Sequence, residues 1–286
     1  MRALSDDALG GRGVGTSGNA RARELIEGAL ERAGVQPVGE SYRMPFAVAD
    51  ALEGVNLVGV VPGRSLPDRY LLLSAHHDHL GIRDGEIFNG ADDNASGVAV
   101  VLEIARRAAE EPLEHSLLVV FFDAEERGLA GSRSFVANPP VELEALALAV
   151  NLDMVARGED TGLFASGTFH HPALRPVLER AAVSGPVELR FGHDRPEDGG
   201  DNWTLQSDHA AFHLAGIPFV YFGVEDHPDY HQPTDDWHRI DPEFFSASAI
   251  TIERAVRALD EALAAGLEPR SSATTEPGAR PADRPR

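Results

Sequence analysis

Histidine and carboxylate residues stand together in several short stretches, at spacings that suit a metal site. His76 and Asp78 lie two residues apart, directly after an apolar run. In an extended chain such residues point to the same side, so these two can act together while His77 and His79 face the other way. A metal-bound imidazole usually donates its other N–H to a carboxylate, a role that suits Asp78. A polar strand end with solvated histidines is the alternative interpretation.

A second candidate stretch, residues 90–97, contains the adjacent acids Asp92 and Asp93 in a loop that otherwise lacks charge. Acids and asparagine commonly cap the free amides at the start of a helix, and capping explains one of the two acids. One carboxylate could bridge two metal ions while the other caps the helix that follows. We therefore predict that this loop binds metal.

A third stretch places Glu125 and Glu126 shortly after the apolar run 116–122. One interpretation is a capping box, with Asp123 as the cap and Glu126 three residues later. The functional interpretation is one metal ligand beside one general base. A zinc hydrolase needs a carboxylate next to its bound water, which takes the water's proton and returns it to the leaving amine.

Two further candidates follow other apolar runs. Asp153 comes directly after the run 146–152, where an acid is costly to bury unless it is paired or bound to metal. His231 lies in the polar loop 229–236, and taken alone it is more simply a surface residue. Together the candidates are two histidines and three or four carboxylates. Such nitrogen and oxygen ligands suit zinc, or Mn or Co, in a catalytic site with open positions.

Alternating apolar runs predict the elements that would bring these residues together. We predict strands over 55–61, 70–75, 116–122, 146–152 and 217–222, and helices over 20–33, 95–109, 125–136, 172–183 and 242–265. This alternation indicates a single α/β domain with a largely parallel sheet. Four of the strands lead into ligand-type residues, and ligands of open α/β sheets bind beyond the carboxyl ends of strands. Residues 1–267 are predicted as one domain, and residues 268–286 as a disordered tail rich in Pro, Ser, Thr and Arg.

The composition excludes several other chemistries. The formal charge of −21 argues against nucleic acid or an anionic membrane as a partner. Every basic residue is arginine and there is no cysteine, so Schiff-base chemistry, a Walker-type phosphate loop and thiol catalysis are unavailable. The H-E-x-x-H and G-x-S-x-G motifs are absent. Residues 13–18 match G-x-G-x-x-G, but no predicted strand precedes them, so we assign no nucleotide site.

The sequence shows no feature that would target it to a membrane. No apolar run approaches the roughly 20 residues that a membrane helix needs. Residues 1–18 are polar and Gly-rich, without the apolar core of a secretory signal, so a cytoplasmic location is expected. A secreted mature form whose signal has been removed is the alternative.

Taken in order, these motifs resemble the two-zinc aminopeptidases. This is the family of bacterial leucyl aminopeptidase, and it also contains glutamate carboxypeptidase and glutaminyl cyclase relatives. The resemblance extends over about residues 12–265. It rests on six segments, which are 76–78, 90–97, 125–126, 151–154, 207–209 and 230–235.

The resemblance implies a specific set of metal ligands. Asp92 would bridge two zinc ions. His76 and Asp153 would complete the site of one ion, and Glu126 and His231 the site of the other. The family fold is a mixed, mostly parallel sheet between helix layers.

The resemblance also implies a reaction. A hydroxide bound to two zinc ions would hydrolyse the peptide bond next to a free N-terminus, so that the substrate is a peptide and the protein an aminopeptidase. Glu125 would be the general acid and base, and Asp78 would orient His76. The family also has a cis peptide bond that corresponds here to Asp92–Asp93.

Related reactions of the same fold stay open, namely those of a carboxypeptidase, a deacylase or a glutaminyl cyclase. Cyclases of this family usually bind one zinc, and the retention of all the implied ligands favours two. A non-catalytic binding domain is a further alternative, which the loss of Glu125 or of a ligand would indicate, and none is lost. A tyrosine that some members place before 207–209 is not evident, because Trp203 and Thr204 occupy that position. The acidic segment 194–201 has no clear counterpart, so the side-chain preference is not predicted.

Overall fold

The computed structural model describes residues 1–49, 52–183 and 185–269. The predicted tail, 268–286, lies outside the described residues except for its first two positions. The strands are β1 (Gln36–Pro37), β2 (Arg43–Ala47), β3 (Glu53–Val61), β4 (Leu66–His76), β5 (Gly81–Arg83), β6 (Glu86–Phe88), β7 (His115–Phe122), β8 (Leu146–Leu152), β9 (Leu163–Ser166), β10 (Leu189–Phe191) and β11 (Phe219–Gly223). The α-helices are α1 (Ser17–Ala33), α2 (Gly97–Glu110), α3 (Ala130–Ala137), α4 (Arg175–Val183), α5 (His209–Leu214) and α6 (Pro242–Ala264). Among the described residues, none of these helices has both the length and the apolar character that crossing a membrane requires.

One mixed sheet of nine strands forms the centre of the fold. Its order is β1-β3-β7-β4-β8-β11-β9-β10, and β2 pairs with β3. The middle of the sheet, β7-β4-β8-β11, is parallel, whereas β3 and β9 join its two sides in antiparallel pairing. Strands β5 and β6 form a separate hairpin. The predicted α/β fold with a mixed, mostly parallel sheet is confirmed.

Successive residues of the central strands are buried on opposite faces of the sheet. In β4, Leu71 and Leu73 pack in the core that includes side chains of α1, α2 and α6, whereas Leu72 packs with Phe135 of α3 and Phe212 of α5. Helices therefore cover both faces. Burial on both faces explains why these strands read as continuous apolar runs in the sequence.

The predicted helix over 125–136 is interrupted. Residues Glu125–Arg127 form a short 3-10 turn, and α3 begins only at Ala130. Ala124 and Leu129 have positive φ angles of 57° and 60°, which a right-handed helix does not permit. The interruption leaves the two adjacent glutamates in a tight turn at the end of β7.

The four parallel central strands end at the same edge of the sheet, where their following loops contact each other. The N–H of His77 donates to the carbonyl of Phe122 at 2.8 Å, and the N–H of Asp153 donates to the carbonyl of Phe222 at 3.0 Å. The start of α2 is also close, because a Cβ at Gly97 would lie 2.7 Å from the carbonyl oxygen of Leu152. These contacts fix the positions from which the candidate side chains project.

Candidate metal centre

Nitrogen and oxygen atoms from three loops meet on one side of this edge. Nε2 of His76 lies 3.2 Å from Oδ1 of Asp93 and 3.2 Å from Oδ1 of Asp153. With bonds of about 2.0–2.1 Å, two ligand atoms of a tetrahedral zinc ion lie about 3.3 Å apart. The spacing of these three side chains therefore suits one metal ion.

A second group of atoms lies on the other side of Asp93. Oδ2 of Asp93 lies 3.1 Å from Nε2 of His231, and the same nitrogen lies 3.5 Å from Oε2 of Glu126. Nδ1 of His79 lies 2.8 Å from Oε1 of Glu126 and 3.7 Å from Oδ2 of Asp93. Asp93 thus directs one oxygen to each group, as a carboxylate that bridges two metal ions does.

Buried atoms of the second group fit a cation better than a hydrogen bond. Nδ1 of His79 and Oε1 of Glu126 are close, yet within the described residues neither has a hydrogen-bond partner. Polar atoms left unpaired in a protein interior are costly and rare. A metal ion between the imidazoles and the carboxylates would satisfy both atoms, so the residues present fit the metal that the resemblance implies.

The geometry places Asp93 between the two groups, which corrects the prediction made for Asp92. Oδ1 of Asp92 accepts a hydrogen bond from the N–H of Ala156 at 2.8 Å, and Oδ2 lies 3.2 Å from Nε2 of His227. The cis peptide bond is likewise Asp93–Asn94, one position later than expected. Neighbouring residues point in different directions, and two acids in succession give a sequence pattern no means of choosing between them.

The two remaining histidines of the segment after β4 behave differently from each other. Nε2 of His77 lies 3.1 Å from the carbonyl oxygen of Val55, away from the centre, as the alternation predicts. The same prediction is wrong for His79, whose ring joins the second group. The reason is that β4 ends at His76, so the two-residue period of an extended strand does not continue to His79.

Asp78 links the histidine of β4 to the two acids after β7. Nδ1 of His76 lies 3.1 Å from the carbonyl oxygen of Asp78 and 3.7 Å from its Oδ1. The carboxylate of Asp78 also accepts the main-chain N–H groups of Glu125 and Glu126 at 3.0 and 3.4 Å. Burial raises the pKa of Asp78, and the nearby His76 opposes this rise.

The histidine itself is held in a strongly acidic environment. Burial lowers the pKa of His76, but the carboxylates of Asp153 and Glu125 outweigh this effect, so that the pKa lies well above its ordinary value. An imidazole that attracts a proton this strongly in the absence of metal lies where positive charge is favoured. The same field would attract a metal cation.

Glu125 lies beside the two groups in an apolar but acid-rich position. Burial raises its pKa well above the ordinary value, and the charges of Glu126, Asp153 and Asp208 add to this, whereas His76 acts in the opposite direction. A carboxyl group with a raised pKa can take up and release a proton near neutral pH. This property suits a general acid and base.

Two neighbouring side chains were not singled out as site residues from the sequence. The hydroxyl of Tyr221 donates to the carbonyl oxygen of Asp153 at 3.1 Å. Asp208 is fully buried, and burial raises its pKa to about 7 despite the opposing charge of His76. The motif at 207–209 was the only sequence signal for Asp208, and Tyr221 reads as an ordinary strand residue.

Comparisons with known proteins were made at the level of sequence and of structure. A family model described as "Peptidase family M28" matches residues 56–256. The sequence is 31% identical over 216 residues to "Probable glutamate carboxypeptidase VP8" of Zea mays, covering 68% of this chain and 29% of that protein. The chain spans less than half the length of several curated relatives that it matches.

Solved structures show the same fold. A zinc aminopeptidase from Bacillus subtilis has a TM-score of 0.62 and 25% identity, over 78% of this chain and 54% of that one. Glutaminyl cyclase of Porphyromonas gingivalis has a TM-score of 0.71 and 22% identity, over 89% of this chain and 93% of that one. At that identity the second likeness shows the fold alone.

Proposed function

The chain belongs to peptidase family M28, and on that premise we propose that it is a zinc-dependent aminopeptidase, which releases N-terminal residues from peptides. The observation that carries the proposal is the position of Asp93, whose two oxygens face two separate groups of ligand atoms. The similarity to a zinc aminopeptidase of Bacillus subtilis supports the same reaction class.

We propose two zinc ions per chain, held by side chains that follow four different strands. The ligands would be His76 and Asp153 for one ion, Glu126 and His231 for the other, and Asp93 for both. His79 offers a further nitrogen to the second ion. Imidazole and carboxylate donors without thiolates are typical of catalytic zinc sites that keep an open position for water or substrate.

The chain's own groups would handle the proton. When bound, zinc supplies Lewis-acid chemistry, which lowers the pKa of a coordinated water and polarises a carbonyl group. Glu125 would accept the proton of the attacking water and return it to the leaving amine, for which its raised pKa is suited. Asp78 would hold His76 and Glu125 in their relative positions, because it contacts both.

The electrostatic character of the chain supports a substrate with a free amino terminus. The formal charge is −21, and carboxylates dominate the proposed centre. A cationic α-amine would be attracted to such a site, whereas polyanions such as nucleic acids would be repelled.

A panel of matched substrates tests the proposal. The same chromogenic amino acid would be offered with a free amine and with an acetylated amine, alongside a peptide cut at its C-terminus and an N-terminal glutamine peptide. We expect hydrolysis of the free-amine substrate only, loss of activity with a chelator and recovery with zinc. Hydrolysis confined to the C-terminal substrate, or cyclisation of the glutamine peptide without hydrolysis, would contradict the proposal.

A further inference from the structure

The side chain of Arg12 is buried next to the proposed metal centre. It is only 1% exposed and ends a short 3-10 turn, Asp7–Arg12, where its φ angle is +52°. Its four side-chain hydrogen bonds all end on main-chain carbonyl groups. Burying a guanidinium is costly unless its charge is offset and its donors are used, so the position of this residue calls for an explanation.

Two of these hydrogen bonds join the segments that carry the proposed ligands. Nε of Arg12 donates to the carbonyl of His77 at 3.0 Å, and Nη2 donates to the carbonyl of Gly90 at 3.0 Å. His77 directly follows the proposed ligand of β4, and Gly90 lies three residues before Asp93. The planar guanidinium therefore ties the histidine segment to the loop of the shared carboxylate.

The remaining contacts of Arg12 extend the same connection. Its Nη1 donates to the carbonyl of Asn89 at 2.5 Å and to that of Leu4 at 2.6 Å. Its own carbonyl accepts the main-chain N–H of His79 at 3.4 Å and Nδ2 of Asn19 at 3.1 Å. Side chain and main chain of one residue thus hold both segments against the N-terminal part of the chain.

The charge of Arg12 is matched to its surroundings. Burial lowers its pKa to about 10, and the carboxylates of Asp93, Asp235, Asp78 and Glu126 oppose this decrease. The guanidinium therefore stays charged at neutral pH. Carboxylates gathered around a metal centre repel one another, and a cation fixed among them reduces this repulsion.

We propose that Arg12 is a positioning residue of the metal centre, which holds the segment after β4 and the loop before α2 at the separation that zinc ligation requires. The inference goes beyond the proposed function and rests on it for the identity of the metal. A site whose ligands are already in place loses less conformational freedom on binding. Loss of groups that support the ligands typically weakens metal affinity or activity by about 10–100-fold.

The test measures the zinc affinity of the metal-free full chain by competition with a chromogenic chelator. The variant R12K keeps the positive charge but cannot reach the same four carbonyls with one ammonium group. The control is L30A, which removes a fully buried side chain near the opposite end of α1. We expect at least a tenfold loss of zinc affinity in R12K. We expect L30A to stay within twofold of the wild type, even where its melting temperature falls as far.

The outcomes separate this inference from the proposed function. Zinc affinity of R12K within twofold of the wild type overturns the role of Arg12 and leaves the proposed function untouched. A wild-type chain that binds no zinc overturns both. Where R12K does not fold, R12Q gives the same readout, and a failure of both to fold while L30A folds assigns Arg12 to the fold and overturns its specific role in the centre.

Discussion

The carboxylate of Asp78 accepts the main-chain N–H of Glu125 at 3.0 Å while its Oδ1 lies 3.7 Å from Nδ1 of His76. One fully buried acid therefore contacts both a proposed zinc ligand and the proposed general base. This relationship predicts that a change at Asp78 disturbs two functions together.

We expect Asp78→Asn to lower kcat/KM by about 10–100-fold, because an amide offers one acceptor oxygen where the carboxylate offers two. Steady-state kinetics with the zinc content measured in parallel would check this. The control is Asp68→Asn, an exposed position on the same strand, which should behave as the wild type. Equal kinetics for both variants would show that Asp78 has no part in the reaction.

Glu125→Gln should keep both zinc ions and lose most of its turnover. The amide preserves the shape of the side chain but cannot accept the proton of the attacking water, a step worth about 10²–10⁴-fold in rate. Metal analysis and kcat measured on the same sample separate the two effects. An unchanged kcat would remove Glu125 from the mechanism, and a loss of zinc would make it a ligand.

His79→Ala and His77→Ala form a matched pair for the second metal. The ring of His79 lies 2.8 Å from Glu126, whereas the ring of His77 contacts the carbonyl oxygen of Val55. We expect His79→Ala to weaken the binding of the second zinc by about tenfold or more, and His77→Ala to leave it unchanged. Isothermal titration of metal-free protein would resolve the two binding events. A loss confined to His77→Ala would return the strand alternation to favour.

Three histidines outside the centre should make the fold sensitive to acid. Burial lowers the pKa of His171 to about 4, of His209 to about 3 and of His213 to about 4. Their pKa values are lower in the folded state than in the unfolded state, so protonation favours unfolding. The stability they contribute is complete above the ordinary histidine pKa of about 6.5 and is lost as the pH falls towards 4.

We expect the melting temperature to fall by about 5 °C or more between pH 7 and pH 5. Carboxylates also titrate in acid, so the informative comparison is with His171→Gln, in which one of these titrating groups is missing. The variant should lose less melting temperature than the wild type over the same interval. Parallel curves for the two proteins would contradict the role given to His171.

The sequence was sufficient for the parts of the fold that have a strong local pattern. The central strands β4, β7, β8 and β11 are apolar runs because both of their faces are buried, and the polar residues after them mark one edge of the sheet. Strands β1, β9 and β10 hold only two to four residues. Such short elements are fixed by pairing with neighbours and show no periodicity of their own.

The details of the centre needed three dimensions. Whether Asp92 or Asp93 faces the histidines depends on the backbone directions within a six-residue segment, residues 91–96, in which Asp93 and Asn94 depart from helical geometry. His79 enters the centre because β4 has already ended, which an alternating pattern does not show. Arg12 is far away in sequence, and nothing around it indicates that its side chain is buried.

The zinc content of Asp93→Asn and Asp92→Asn, set beside that of the wild type, tests the central claim most directly. Each protein would be stripped of metal, loaded with zinc, dialysed, and analysed for zinc per chain and for aminopeptidase activity. We predict two zinc ions in the wild type and in Asp92→Asn. In Asp93→Asn we predict the loss of at least one ion together with nearly all activity. Full zinc content and activity in Asp93→Asn, with loss in Asp92→Asn, would contradict a centre shared through Asp93.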